Sequence, residues 1–291
     1  MKTFGLLGTH LSHTLSPQYF ANKFLQENIS EAEYQLFPLN NIEEIKDLLK
    51  HPTLVGFNVT IPYKSTIIPF LDEIDAISQE VGAVNCVVKE NGRWIGYNTD
   101  VVGVEKIVCG LRYEVCGMRC EVIGKAESKK QVKANQIPQT TYLTPHTSYL
   151  TPHTAHLVPH PLHSALVLGS GGAAKAVGYV LKQKNIPFQM VSRKKTDKTI
   201  TYNEVTAELI HQATFIINTT PVGMFPNIDE KPPILYSALH SNHILIDLIY
   251  NPEETFFLKE GKKRGASIFN GLTMFEAQAE ASYLKFKNLK I

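Results

Sequence analysis

The sequence has few of the features that mark exported, membrane or metal-binding proteins. None of its apolar runs is long enough to span a membrane, and residues 1–10 hold one lysine and an apolar stretch too short for a signal peptide. Cysteine is scarce, with 4 residues in 291, and the spacing of the cysteines matches no paired zinc motif. We therefore expect a cytoplasmic protein with reduced thiols and no metal site.

An excess of charge of one sign is also missing. Lysine and arginine number 29 against 27 acidic residues, which gives a formal net charge of +2, and the basic residues are spread along the chain. This distribution excludes nucleic acid and anionic membranes as expected partners. A hydrophobic content of 43% over 291 residues suffices for two domains of ordinary size.

The apolar pattern predicts an α/β protein. Strands are predicted at 4–7, 34–39, 54–59, 84–88 and 93–97, with a helix that starts at Ser16 as its N-cap and a second helix over 41–50. The dipeptide Asn91-Gly92 is typical of a hairpin turn. Further on, a strand at 165–168, a glycine turn, a helix to about Lys184 and a strand at 188–191 form a βαβ unit. Strands at 215–218 and 244–248, each after a helix, and a last helix over 271–287 complete the prediction.

Residues 109–163 contain a segment unlike the rest of the sequence. The string YLTPHT begins at residue 142 and again at residue 149, and HLVPHP at residue 156 is a degraded third copy. Repeats of proline, threonine and histidine supply no packed core, so we predict an extended or disordered insert. Its histidines leave adventitious metal binding as the alternative: His146, His153, His156, His160 and His163.

A glycine turn follows the strand at 165–168 and opens a helix, which is the context of a phosphate-binding turn. Its residues are Gly169, Ser170, Gly171, Gly172 and Ala173. The end of the next strand reads Ser192, Arg193, Lys194, Lys195, with no acid to bind a ribose 2'-hydroxyl and with cations that suit a 2'-phosphate. The pattern favours NADP over NAD, against the alternatives of an ordinary turn and a solvated basic loop.

Polar residues also gather at the ends of predicted strands in the first hundred residues. The segment 58–64 reads NVTIPYK, Asn85 lies within an apolar strand, and residues 98–100 read NTD just before a helix. Buried polar groups are costly unless they are paired. The cluster therefore indicates either a pocket for a polyol or an internal hydrogen-bond network.

An ordered set of motifs resembles the shikimate dehydrogenase family and covers almost everything outside residues 109–163. The motifs are HTLSP (13–17), GFNVTIPYK (56–64), GAVN (82–85), GYNTD (96–100), GSGGA (169–173), NTTPVGM (218–224), DLIYNP (247–252) and NGLTM (270–274). The resemblance implies an α/β fold in which an N-terminal substrate domain (1–101 and 251–291) and a Rossmann-like NADP-binding domain (102–250) flank a cleft.

The resemblance also implies a role for each matching residue. Lys64 and Asp100 are the expected catalytic pair, with Lys64 exchanging a proton with the substrate oxygen. The expected substrate ligands are Thr14, Ser16, Thr60, Asn85, Tyr250 and Gln278. Besides the glycine turn, the expected cofactor contacts are Ser192, Arg193, Lys194, Thr219, Met224 and Gly271.

The implied function is the reversible, NADP-dependent reduction of 3-dehydroshikimate to shikimate in chorismate and aromatic amino acid biosynthesis, by a monomer or homodimer. Two alternatives stay open: a quinate/shikimate dehydrogenase of broader specificity, and a non-catalytic relative that senses a ligand. Three residues depart from the family's pattern, namely Thr14 for serine, Cys86 for threonine and Ser192 for asparagine.

Overall fold

The first of two six-stranded sheets is built from the N-terminal part of the chain in the computed structural model, which describes residues 1–12, 14–116 and 164–289. Its strands are β1 (Lys2–Gly8), β2 (Ala32–Pro38), β3 (Gly56–Val59), β4 (Glu73–Ile74), β5 (Cys86–Glu90) and β6 (Arg93–Tyr97). They lie in the order β2-β1-β3-β5-β6-β4. The hairpin of β5 and β6 is confirmed, and Asn91 and Gly92 both have the positive φ that its turn requires.

The second sheet is parallel throughout. Its strands are β7 (Ala165–Leu168), β8 (Phe188–Ser192), β9 (Thr199–Thr201), β10 (Phe215–Asn218), β11 (Ile244–Asp247) and β12 (Ser267–Phe269). The order β12-β11-β10-β7-β8-β9 reverses direction between β7 and β10. In doubly wound sheets a ligand crevice opens at the carboxyl ends of the strands on either side of such a reversal. The predicted α/β fold is confirmed.

Eight α-helices cover the sheets in the described ranges, and the last of them bridges the two halves. They are α1 (Ser16–Gln26), α2 (Ile45–Leu48), α3 (Ala76–Val81), α4 (Asp100–Cys116), α5 (Gly172–Gln183), α6 (Ala207–Gln212), α7 (Phe256–Lys263) and α8 (Leu272–Lys287). Met274 of α8 packs in the core of the second sheet, whereas Tyr283 and Phe286 pack with Phe4 and Phe20 under the first. None of the helices in these ranges combines the length and the apolar content that crossing a bilayer requires.

The structure corrects several boundaries. Leu15, not Ser16, is the N-cap of α1, so Ser16 and Pro17 form its first turn. A helix was predicted before β11, but between β10 and β11 the chain forms a 3-10 turn (Tyr236–Ala238) and no α-helix. Residues 109–116 of the predicted insert continue α4. The repeats and their histidines lie outside the described residues, as do His13 and Cys120.

A further correction concerns the C-terminal residues that were predicted to belong to the first domain. We expected residues 251–291 to join the substrate domain, yet β12 pairs with β11 in the second sheet and α7 packs against both strands. The strand has three residues, too few to be recognised by an apolar pattern, and it lies at the edge of the second sheet beside β11. Within residues 251–289, α8 and the following Leu289 pack against the first sheet.

Candidate active site

The centre of the site is an ion pair between Lys64 and Asp100. Lys64 Nζ donates to Asp100 Oδ2 at 2.6 Å, and the two side chains are 14% and 4% exposed. Asp100 is the first residue of α4, and Lys64 lies in the turn after β3. That turn is held by Tyr63, whose buried hydroxyl donates to the Leu39 carbonyl at 2.9 Å. A paired ammonium and carboxylate are thus fixed beyond the carboxyl ends of β3 and β6 in the first sheet.

Asn85 connects this pair to the C-terminal helix. Its Nδ2 lies 2.9 Å from Asp100 Oδ1 and 3.3 Å from Gln278 Oε1, while its Oδ1 accepts the Thr99 backbone N–H at 2.6 Å. The backbone contact fixes which end of the amide faces Asp100. The structure therefore brings together four predicted site residues, Lys64, Asp100, Asn85 and Gln278, from separate parts of the chain.

The hydroxyls of Thr14 and Ser16 lie at the start of α1, 3.2 Å apart. Burial raises the pKa of Tyr34 well above its ordinary value, and a hydrogen bond from Ser16 opposes the rise. The Tyr34 hydroxyl donates to Asn58 Oδ1 at 2.9 Å, which joins Tyr34 to the polar network under the first sheet. Tyr250 packs on Phe275 of α8, with ring centroids 5.1 Å apart.

Thr60 begins the turn that carries Lys64. Its backbone N–H donates to the Leu7 carbonyl at the end of β1, and its side chain is half-buried. The methyl of Thr60 would lie 2.5 Å from a Cβ at Gly8, so the glycine gives this side chain its room. Thr60 therefore lies where β1 and β3 end together.

The glycine turn after β7 has the form of a phosphate cradle. Gly169 has φ of +122°, which residues with a side chain rarely adopt, and a Cβ there would lie 2.3 Å from Thr219 Oγ1. Thr219 itself donates to the Leu168 carbonyl at 2.7 Å. Gly171 is the N-cap of α5 and offers no side chain to its first N–H groups, which stay available to an anion.

The cations predicted to select NADP lie beside this turn. Ser192 at the end of β8 is 3.1 Å from Ser170, oxygen to oxygen, which brings the basic loop to the glycine turn. All three cations are exposed, and Lys195 forms an ion pair with Glu204, whereas no carboxylate of the described residues forms an ion pair with Arg193 or Lys194. Arg193 and Lys194 are therefore the two cations of this loop whose charge no described carboxylate neutralises directly.

The two halves of the predicted site touch directly. A Cβ at Gly172 would lie 2.8 Å from Lys64 Cβ, so the first residue of α5 packs against the lysine of the ion pair. Lys175, one turn along α5, donates to Ser65 Oγ and to the Gly82 carbonyl, both at 2.9 Å. Burial lowers the pKa of Lys175. The glycine turn and the ion pair therefore belong to one cleft.

The remaining cofactor candidates lie in loops after β10 and before α8. Met224 is 42% exposed. Gly271 approaches the backbone so closely that a Cβ would lie 2.1 Å from the Leu248 carbonyl oxygen. Across the described ranges, His, Cys, Asp and Glu side chains form no cluster of three or more that could hold a metal ion.

Sequence reasoning missed the role of Asp247, a fully buried carboxylate that ties these loops together. Its Oδ1 accepts Asn218 Nδ2 and the Ile249 N–H, both at 3.0 Å, and its Oδ2 accepts the Thr255 hydroxyl at 2.6 Å. Burial raises its pKa from the ordinary 3.8 to about 6. The sequence held a signal, since Asn218 and Asp247 end neighbouring parallel strands and lie in register.

Comparison with known proteins links this site to one family. A family model described as the shikimate dehydrogenase substrate binding domain matches residues 6–87. The chain is similar to the shikimate dehydrogenase (NADP(+)) of Staphylococcus epidermidis, with 32% identity over 297 aligned positions that cover 99% of this chain and 93% of the relative. A Methanococcus maripaludis protein of the same name is 31% identical and covers 97% and 90%.

Solved structures agree with the sequence relatives. The structure of shikimate dehydrogenase 1 from Peptoclostridium difficile has a TM-score of 0.72 and 30% identity, and the match covers 99% of this chain and 92% of that one. A shikimate dehydrogenase solved in complex with NADP+ has a TM-score of 0.69 and 28% identity, with coverage of 97% and 88%.

Proposed function

The chain belongs to the shikimate dehydrogenase family, and we propose that its Lys64–Asp100 pair carries out the reaction of that family. This oxidoreductase reaction is the reversible, NADP-dependent reduction of 3-dehydroshikimate to shikimate, a step of chorismate and aromatic amino acid biosynthesis. The observation that carries the proposal is the buried 2.6 Å ion pair that packs against the first residue of the dinucleotide-binding helix. Substrate and nucleotide would meet at that point.

Lys64 is the proton donor in the direction of reduction. When bound, NADPH supplies the hydride that reaches the ketone carbon. The substrate oxygen then needs a proton, and the Lys64 ammonium is positioned to provide it as the Nζ–H bond breaks. The ammonium also stabilises negative charge that develops on this oxygen. In the oxidative direction the Lys64 amine takes the proton back.

Asp100 holds the lysine in place. One of its carboxylate oxygens accepts from Lys64 and the other from Asn85, so neither Nζ nor the carboxylate is free to rotate. Preorganised groups of this kind avoid the cost of reorienting during the reaction. Asp100 therefore serves as the fixed support from which Lys64 acts.

The substrate ligands follow from the same geometry. Thr14 and Ser16 present two hydroxyls at the start of an eleven-residue helix, where hydroxyl and backbone donors favour a carboxylate. Thr60, Asn85 and Gln278 are polar groups suited to ring hydroxyls, and Tyr250 lies on the side of α1 and α8 near the carboxylate. The proposal is supported by the hydrogen bonds of Asn85 to Asp100 and toward Gln278, and by the Thr14–Ser16 hydroxyl pair.

The nucleotide is proposed to lie along the glycine turn. The backbone N–H groups at the start of α5 fit a pyrophosphate, and Arg193 with Lys194 fits a ribose 2'-phosphate. Thr219, Met224 and Gly271 would border the nicotinamide. The cytoplasmic location and the monomeric or homodimeric state stay predictions from the sequence, and a quinate/shikimate dehydrogenase of broader specificity stays the alternative.

Lys64→Ala tests the proposal. We expect turnover to fall by about 10²-fold to 10⁴-fold, because a positioned proton donor is worth that much. Affinity for NADP should stay within twofold of the wild type, since Lys64 is outside the glycine turn. Oxidation of NADPH with 3-dehydroshikimate measures turnover, and a fluorescence titration measures nucleotide binding.

Lys46→Ala is the matched control for this experiment. Lys46 also pairs with a carboxylate, that of Glu43, but both side chains are more than half exposed. Its loss should leave turnover unchanged. Near-normal turnover in Lys64→Ala would contradict the catalytic assignment.

A further inference from the structure

A continuous chain of buried hydrogen bonds leads from the core of the first domain to the catalytic carboxylate. The Tyr34 hydroxyl donates to Asn58 Oδ1 at 2.9 Å, and Asn58 Nδ2 donates to Ser282 Oγ at 2.8 Å. Ser282 Oγ lies 2.9 Å from Thr99 Oγ1. Thr99 contacts Asn85, which donates to Asp100. Four members of this chain are at most 5% exposed: Asn58, Ser282, Thr99 and Asn85.

The hydroxyl protons of this chain have an arrangement in which every bond points toward Asp100, although Asn85 Nδ2 also lies 2.9 Å from Thr99 Oγ1. Ser282 Oγ accepts from Asn58, so its own proton is available for Thr99 Oγ1. The Thr99 hydroxyl can then donate to Asn85 Oδ1, 3.1 Å away, which leaves both N–H groups of Asn85 for Asp100 and Gln278. Every donor has an acceptor in this arrangement. Bonds aligned in this manner polarise one another toward the final acceptor, the Asp100 carboxylate.

Ser282 is one of four members of the chain, with Tyr34, Asn58 and Thr99, that the predicted site does not include. It lies on α8, one helical turn after Gln278, and it is fully buried. Of the five links, only those made by Ser282 join the Asn58 side chain to Thr99, because the other bond from Asn58 Nδ2 goes to the backbone of Asn85. Removing its hydroxyl would leave one buried N–H of Asn58 without its acceptor and would leave the Thr99 hydroxyl with Asn85 as its remaining partner among the described residues.

We propose that Ser282 is a positioning residue, which acts through Thr99 and Asn85 to hold Asp100 and Lys64 in their reactive orientation. This inference rests on the proposed function of the Lys64–Asp100 pair. Ser282 itself contacts neither Lys64 nor Asp100 in the structure. A buried polar network that loses one member rearranges to satisfy the remaining groups, so the catalytic pair would change its orientation without leaving the site.

The test compares Ser282→Ala with Ser78→Ala in the full chain. Ser78 is equally buried, and its Oγ has no hydrogen-bond partner among the described residues, so the same atom is removed there without touching a network. Steady-state kinetics with shikimate and NADP+ gives kcat and both KM values, and urea unfolding gives stability. We expect kcat of Ser282→Ala to fall roughly tenfold, because small misplacements of reacting groups lower rates strongly. KM for NADP+ should stay within twofold.

Two further substitutions separate hydrogen bonding from packing. Ser282→Cys keeps the volume but offers only a weak donor and acceptor, so it should lose kcat as the alanine variant does. Ser282→Thr keeps the hydroxyl and should retain most of the wild-type kcat. If the alanine variant fails to fold, the cysteine and threonine variants decide the question by the same comparison.

The outcomes discriminate the inference from the function on which it rests. A kcat for Ser282→Ala or Ser282→Cys within twofold of the Ser78→Ala value would overturn the positioning role, as would equal losses in the cysteine and threonine variants. If the wild-type protein itself produces no NADPH from shikimate and NADP+, the proposed function fails instead, whatever the variants do.

Discussion

Replacing Asp247 with asparagine should stabilise the protein at pH 8 and have little effect near pH 4. Burial raises the pKa of the folded-state carboxyl to about 6, against an ordinary value of 3.8. Folding is therefore favoured most while Asp247 is protonated in both states, below about pH 4, and this contribution is lost as the pH rises through 6. At 1.36 kcal/mol per pKa unit, the ionised carboxylate costs about 3 kcal/mol at pH 8.

The asparagine variant keeps most of the hydrogen bonds of Asp247. Its Oδ1 can accept from Asn218 and from the Ile249 N–H as before, and its Nδ2 can donate to the Thr255 hydroxyl oxygen after that hydroxyl rotates. The cost of rotating the Thr255 hydroxyl offsets part of the gain in stability. We therefore expect a net stabilisation of about 1–3 kcal/mol at pH 8.

Urea unfolding at several pH values between 4 and 8 measures this effect. The difference in unfolding free energy between Asp247→Asn and the wild type should be near zero at pH 4 and reach a plateau above pH 7. Asp47→Asn is a control of opposite sign, because a hydrogen bond from Lys50 lowers the pKa of exposed Asp47. A difference that is the same at every pH, or a loss of stability at pH 8, would refute the reasoning.

Two more predictions concern the cleft and the second domain. Gly172→Ala should lower kcat about tenfold or more, because its Cβ would lie 2.8 Å from Lys64 Cβ and the two segments must separate. Gly110→Ala, whose Cβ meets nothing within 4 Å, should leave kcat unchanged, and equal rates would count against the close contact. Burial, aided by His240 and His211, lowers the pKa of His243 below its ordinary 6.5, so the wild type should lose stability as the pH falls from 7 to 5. His243→Asn should give a flatter urea-midpoint profile over that range, and parallel profiles would argue against the assignment.

Local sequence signals predicted most of the fold. The hairpin at Asn91-Gly92 and the strand, turn and helix from residue 165 each depend on residues close together in the chain, so pattern and turn chemistry sufficed. Local patterns did not predict the boundary of the first domain. Whether β12 joins the first or the second sheet depends on which edge strand it meets, and three residues carry no pattern that decides it.

The candidate site also has parts that the sequence predicted and parts that it did not. Lys64 and Asp100 are 36 positions apart, and only the family resemblance identified them as a pair. In the structure, Lys64 Nζ and Asp100 Oδ2 are 2.6 Å apart. Ser282 could not be found because its role depends on which face of α8 meets Asn58 and Thr99. The raised pKa of Asp247 could not be predicted either, because it is caused by burial, which depends on the tertiary fold.

The helix α8 makes the order of synthesis matter for activity. A chain that stalls or is cut before residue 272 can contain every strand of both sheets, yet it has neither Gln278 nor Ser282 beside Asn85 and Thr99. Such a fragment would keep the glycine turn and the Lys64–Asp100 pair, but Asn85 and Thr99 would lack their contacts with Gln278 and Ser282. We therefore expect a chain truncated in this way to be less active than the full chain, even where both sheets have formed.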